Sequence, residues 1–172
     1  MARKICGFFS TILMIALLAL GCVIVVPMLM GYKEMAVLSG SMEPNMKVGS
    51  LVYVKPGVNP AELKEGDVVT YYMDAETFVT HRVISIDTDA HTLVTKGDNN
   101  NVDDGDISFD RIYGMAAFWI PYLGYITIYA RTRVGIMAII AIIAVIVLLN
   151  FLPVLFEPDQ KPDSKREIEQ KG

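Results

Sequence analysis

The chain has 172 residues, 53% of them hydrophobic, and a formal net charge of −4. That length suits one modest domain, and two long apolar runs absorb much of the hydrophobicity. The acidic balance leaves no basic footprint for nucleic acid, and both cysteines lie in the first apolar run, which sets aside disulfide support and thiolate metal sites for the rest of the chain.

Ile5 to Met30 carries no charged residue. About 20 apolar residues span a bilayer as a helix, and the run exceeds the roughly 7 to 15 residues of a cleaved leader's apolar core. A retained transmembrane helix over residues 5–31 is expected, behind a cytoplasmic stub of residues 1–4, with Pro27 bending or ending its last turn. Cys6 and Cys22 would stand about 24 Å apart along it, too far to pair. Val134 to Phe156 is a second uncharged run, expected to span the membrane over residues 134–156. Arg3 and Lys4 precede the first run, and Lys161, Lys165, Arg166 and Lys171 follow the second. The positive-inside rule then places both ends in the cytoplasm and residues 32–133 outside, in a two-pass arrangement. Arg131 and Arg133 argue the other way, but they are two against six and can snorkel to headgroups.

Lys33 and Glu34 mark the water boundary. Val37-Leu38-Ser39-Gly40-Ser41-Met42-Glu43-Pro44 follows, eleven residues at most separating Ser41 from Met30, so a hydroxyl stands close to the bilayer surface. Gly40 and Pro44 suit a turn that holds this side chain outward. An ordinary turn would read the same way, and serine needs a base and oxyanion donors to act as a nucleophile.

Shorter patterning comes next. Ser50–Lys55 and Asp67–Met73 are rich in β-branched and aromatic residues, with Pro56-Gly57 and Glu65-Gly66 as turns. Phe78–Asp87 is expected to be a longer strand, Asp89-Ala90 its turn and His91–Lys96 the return. Gly97–Gly105 is a polar loop, and Ile107–Ile112 resumes a strand. Trp119–Tyr125 is aromatic and close to the second apolar run, so the domain is expected to rest on the bilayer there. The tail over residues 157–172 has two prolines and nine charged residues and is expected to be disordered.

Strand alternation places His81 on one face with Val79 and Val83, which fits either a core histidine or a general base. His91, the other histidine, follows a turn and is expected to be solvated. Lys96-Gly97-Asp98-Asn99-Asn100-Asn101-Val102-Asp103-Asp104 could be a solvated acidic loop. It fails as a calcium loop, because counting from Asn99 the required sixth-position glycine is Asp104. Alternatively Asp98 or Asp104 orients His81 and stabilises its cationic form. Lys96 is a rival base, but a serine-lysine pair needs a desolvated lysine, and three nearby aspartates favour its charged form.

Taken in order, Ser-Gly-Ser-Met-Glu-Pro, Thr-His-Arg-Val and Lys-Gly-Asp-Asn-Asn with Val-Asp-Asp resemble the type I signal peptidases, in the endoplasmic-reticulum-type branch also found in archaea and some Gram-positive bacteria. The resemblance runs from about Ala36 to Ile128. It implies a membrane-anchored, mainly β catalytic domain, here between an N-terminal and a C-terminal transmembrane helix. It also implies Ser41 as nucleophile, His81 as general base in place of the lysine of the common bacterial enzymes, and Asp104 and Asp98 as the acids, with Asp104 favoured as the orienting group. Ser39, with the Ser41 backbone N–H, would form the oxyanion hole. The implied substrates are exported preproteins cut after a small-x-small site, in a plasma membrane, with the bilayer and the protein-export machinery as partners and no metal or organic cofactor. A dedicated peptidase with few sporulation or matrix clients, a non-catalytic membrane-anchored binding module and a subunit of a larger membrane complex are the competing readings.

Overall fold

The computed structural model describes residues 2–75 and 77–155, with side chains from Gly7 to Leu149; the expected tail lies outside the described residues. Contacts divide the chain into two units. Ala19–Ile139 holds the whole sheet, and among the described residues those before Ala19 group with those from Ile140 onward.

Helix α1 runs over Ala2–Leu29 with Pro27 inside its last turn. Its Gly7–Leu29 stretch, mean hydropathy 2.9, is by itself long and apolar enough to cross a membrane. Proline has no N–H to give the carbonyl four residues back, so Val23 O is left without its helical donor. The Tyr53 hydroxyl donates to it over 3.0 Å. The same ring is fully buried beside Leu51 and Leu123, with Leu20 and Ile24 packed against the group. A proline in the helix and a tyrosine in the sheet thus fasten the last turns of α1 to the domain.

Seven antiparallel strands form one sheet: β1 (Lys33–Ala36), β2 (Leu51–Pro56), β3 (Val68–Tyr72), β4 (Phe78–Asp87), β5 (Thr92–Lys96), β6 (Asp106–Ser108) and β7 (Ile112–Ile120). Their order across the sheet is β1-β2-β7-β3-β4-β5-β6. Leu63, Val69, Tyr71, Val83, Leu93 and Ile107 make one buried cluster, and Met42, Met46, Val52, Val54 and Val68 make another. Turn chemistry fixes the β4–β5 hairpin: Asp87 Oδ1 accepts from the N–H groups of Asp89 and Ala90.

One expectation is corrected. The strand expected over Ile107–Ile112 is two strands. A 3-10 turn at Phe109–Arg111 separates β6 from β7, with Ser108 Oγ on Asp110 and the Arg111 guanidinium donating to Tyr72 O and Met73 O. The aromatic segment Trp119–Tyr125 runs from the end of β7 into the next element. Trp119, next to last in β7, pairs with Val52 and donates its ring N–H to Asn45 O over 3.0 Å. The residues after it enter a helix that the patterning did not reveal, α2 (Leu123–Ala130). Lys33 and Glu34 open β1, which pairs with Leu51–Val54.

Helix α3 (Arg133–Leu155) follows after a two-residue break. Thr132 Oγ1 donates to Tyr129 O at the end of α2 and accepts the Gly135 N–H at the start of α3, serving both helix ends. The Tyr125 ring of α2 covers Gly49, whose φ of +80° and lack of a Cβ both matter, since a Cβ there would lie 2.0 Å from the ring.

Candidate active site

Ser41 stands in the turn between β1 and β2. Backbone bonds tie that turn internally, Glu43 N–H to Gly40 O over 3.1 Å and Met46 N–H to Met42 O over 2.8 Å. Met42 and Met46 anchor it from beneath, at 2% and 1% exposure. With both methionines packed down, the half-buried Ser41 is left at the wall of a cleft. Its Oγ lies 3.3 Å from Ser39 Oγ. The cleft, about 330 Å³, is lined by Met35, Val37, Met42, Met46 and Val52 on its apolar side and by Ser39, Ser41 and His81 among its polar groups.

Alternation along β4 turns His81 inward with Val83. His81 is 6% exposed, and its Nδ1 meets Asp104 Oδ2 at 2.5 Å. Asp104 reaches it from the loop after β5. That contact satisfies Nδ1 and leaves Nε2 as the other ring nitrogen. The Asp104 side chain is 19% exposed and accepts a second hydrogen bond, 2.6 Å, from Thr95 Oγ1.

Asp98 and Asp104, the two candidate acids, are placed differently. Asp98 does not serve His81 as a hydrogen-bond partner here; it is taken by Arg82. The guanidinium donates through Nε to Oδ1 and through Nη2 to Oδ2, each over 2.8 Å, and Asn45 Nδ2 adds a third bond to Oδ2 over 2.8 Å. A planar guanidinium fork matches a carboxylate in two places at once, which explains the preference. The fork holds the Asp98 carboxyl below the usual carboxylate range, against the opposing effect of burial, and Asn45 adds to it. Arg82 is the neighbour of His81, and Asn45 lies four residues after Ser41. Asp98 therefore joins the strand bearing the imidazole to the turn bearing the hydroxyl.

A second set of contacts runs from the same loop to Ser41 itself. Asn99 N–H donates to Ser41 O over 2.8 Å, and Asn99 Nδ2 to Gly40 O over 3.3 Å. Gly97 permits this approach, since a Cβ there would stand 2.6 Å from Ser41 O.

Ser39, Ser41 and His81 share the cleft, and Asp104 completes the line through His81. Lys96 ends β5, with Arg82 as its register partner, and is not among the cleft-lining residues. His91 is exposed at a φ of 56° beside Phe109. Among the described residues no group of three His, Cys, Asp or Glu is disposed to hold a metal ion. Several contributors were not singled out from the sequence: Thr95, Arg82, Asn45 and Asn99 as hydrogen-bond partners, and Tyr71. Tyr71 is 5% exposed, and its phenol is pushed up by burial, with Thr95 opposing and the Asp104 carboxylate reinforcing the shift.

No family model matches the chain. It is 49% identical over 76 residues to Signal peptidase I W of Bacillus subtilis (strain 168), a match covering 43% of this chain and 40% of that relative. It is 38% identical over 124 residues to the signal peptidase complex catalytic subunit SEC11 of Lachancea thermotolerans, covering 61% of this chain and 72% of the relative. The corresponding subunit of Plasmodium falciparum is 29% identical over 128 residues, with 67% and 68% covered.

Proposed function

This chain belongs to the endoplasmic-reticulum-type branch of the type I signal peptidases, and we propose that it removes signal peptides from exported preproteins with Ser41 as nucleophile, His81 as general base and Asp104 as the group that orients it. The observation that carries the residue roles is the 2.5 Å contact between His81 Nδ1 and Asp104 Oδ2 at the cleft that also holds Ser41. With Nδ1–H given to the carboxylate, Nε2 is the nitrogen that accepts the Ser41 proton as Oγ attacks the scissile carbonyl. Asp104 stabilises the imidazolium that forms. His81 then returns the proton to the leaving amine, and water, activated by the same nitrogen, releases the acyl-enzyme.

Ser39 Oγ and the Ser41 backbone N–H supply the donors for the developing oxyanion. The cleft volume suits the small side chains that precede a signal-peptide cleavage site. Helices α1 and α3 are the two membrane spans in this reading, with the sheet domain outside a plasma membrane, where an exported chain presents its cleavage site. Asp98 acts by holding Arg82 and Asn45, not as an acid of the reaction. A binding module descended from an enzyme would have no need of the hydroxyl, imidazole and carboxylate together, so the complete set supports catalysis.

The test is cleavage of a preprotein by the full chain in lipid, compared with Ser41→Ala and His81→Ala. The parent should cut after the small-x-small site, and each variant should fall by roughly 10⁴-fold or more. Folded parent that cuts none of several preproteins would refute the assignment. Comparing precursors across the secretome after gene deletion separates a general enzyme from a dedicated one.

A further inference from the structure

Asp104 Oδ2 is held between two donors, His81 Nδ1 at 2.5 Å and Thr95 Oγ1 at 2.6 Å. Thr95 is fully buried, and it grips Asp104 twice, since its carbonyl also accepts the Asp104 backbone N–H over 2.9 Å. The sheet register supplies the placement: Thr95 pairs with Val83, two residues beyond His81 and on the same face. From the other side β3 contributes Tyr71, buried beside Thr95 and Asp104.

We propose that Thr95, backed by Tyr71, is a positioning residue that sets how tightly His81 holds its proton. The inference rests on the catalytic reading above and deepens it. A carboxylate that already accepts a buried hydroxyl has part of its charge satisfied, so it attracts the imidazolium less strongly than a bare carboxylate would. The same hydroxyl keeps Asp104 fixed on Nδ1. The other charged groups around His81 do not duplicate this role. Asp98 contributes a negative charge from the same loop, offset by its two bonds from Arg82, and Arg111 acts at one remove, on Tyr71.

Thr95→Val keeps the shape and removes the donor, whereas Thr95→Ser keeps the donor. Both are compared with the parent as full chains in lipid by two readouts, the acidic limb of kcat/KM for preprotein cleavage and the NMR titration of the His81 imidazole. The chain has two histidines, so His91→Asn assigns the signals. With Thr95→Val the His81 midpoint and the acidic limb should both move upward, by about one pH unit, and Thr95→Ser should restore both. Tyr71→Phe is the second variant, with a smaller shift in the same direction, and it decides the matter if Thr95→Val does not fold. An unchanged or lowered midpoint overturns the inference and leaves Thr95 a merely structural residue. If the parent cuts no preprotein, the peptidase reading fails on its own, and the titration still decides for or against Thr95.

Discussion

Asn45 Nδ2 donates to Asp98 Oδ2 over 2.8 Å, and through that one carboxylate the turn carrying Ser41 is joined to Arg82, the residue next to His81. The proposed mechanism brings together a hydroxyl and an imidazole from segments 40 residues apart in sequence. The Asp98 bridge ties these two segments together, through Asn45 and Arg82.

Asp98→Asn therefore should cost both stability and rate. Arg82 loses a two-point ionic partner, a cost of about 2 kcal/mol, measurable as a fall in the denaturation midpoint at pH 7. The pH dependence has a definite sign. Because Arg82 depresses the folded-state value of Asp98, its stabilisation is complete above the unfolded carboxylate value of about 3.9 and is lost as pH falls through the lower folded value. The parent should lose this stability on acidification below about pH 4, and Asp98→Asn should not show that component.

Gly97→Ala is expected to act on Ser41, the proposed nucleophile. The new methyl would stand 2.6 Å from Ser41 O and 2.8 Å from Asn100 Nδ2, forcing the loop and the Ser41 turn apart. A displacement on the order of 1 Å in a reacting group costs about 100-fold in rate. The loss should appear in kcat/KM of preprotein cleavage and exceed the change in thermal stability.

Lys96→Met separates the two candidate bases. With His81 as base, removing the Lys96 ammonium is a peripheral change of about 0.5 kcal/mol or less, so kcat/KM should stay within about twofold of the parent. A collapse of activity comparable to that of His81→Ala would assign the base to Lys96.

Tyr53→Phe examines how the domain is fastened to α1. Removing the hydroxyl leaves Val23 O, already deprived of its helical donor by Pro27, without the 3.0 Å bond it receives. Stability measured by denaturation in mild detergent should fall by about 1 to 3 kcal/mol, with the cleavage chemistry itself little changed.

What the sequence made legible follows from how local each signal was. β4 is readable to its ends, Phe78 and Asp87, because its alternation is long and the Asp87 side chain caps the following turn within three residues. The four residues of β1 were hidden because little in Lys33-Glu-Met-Ala36 favours a strand, and pairing with β2 makes it one. Helix α2 was hidden for the opposite reason. Its aromatic and β-branched residues are weak helix formers, and it is held by docking, with Tyr125 over Gly49.

At the site, residue types in order pointed to Ser41 and His81 as candidates, whereas between two aspartates six residues apart in one loop only the resemblance favoured Asp104, and the residue types themselves did not choose. The choice depends on which of them Arg82 claims, and that is a matter of three-dimensional register. Thr95 could not be distinguished from any other strand threonine until its hydroxyl was seen on Asp104.

The most direct measurement is intact mass followed by peptide mapping of the protein, acid-quenched during preprotein turnover in lipid. An acyl adduct carrying the signal-peptide fragment is expected on the peptide containing Ser41, absent in Ser41→Ala and discharged by water in the parent. An adduct on another residue, or undiminished cleavage by Ser41→Ala, would contradict the account.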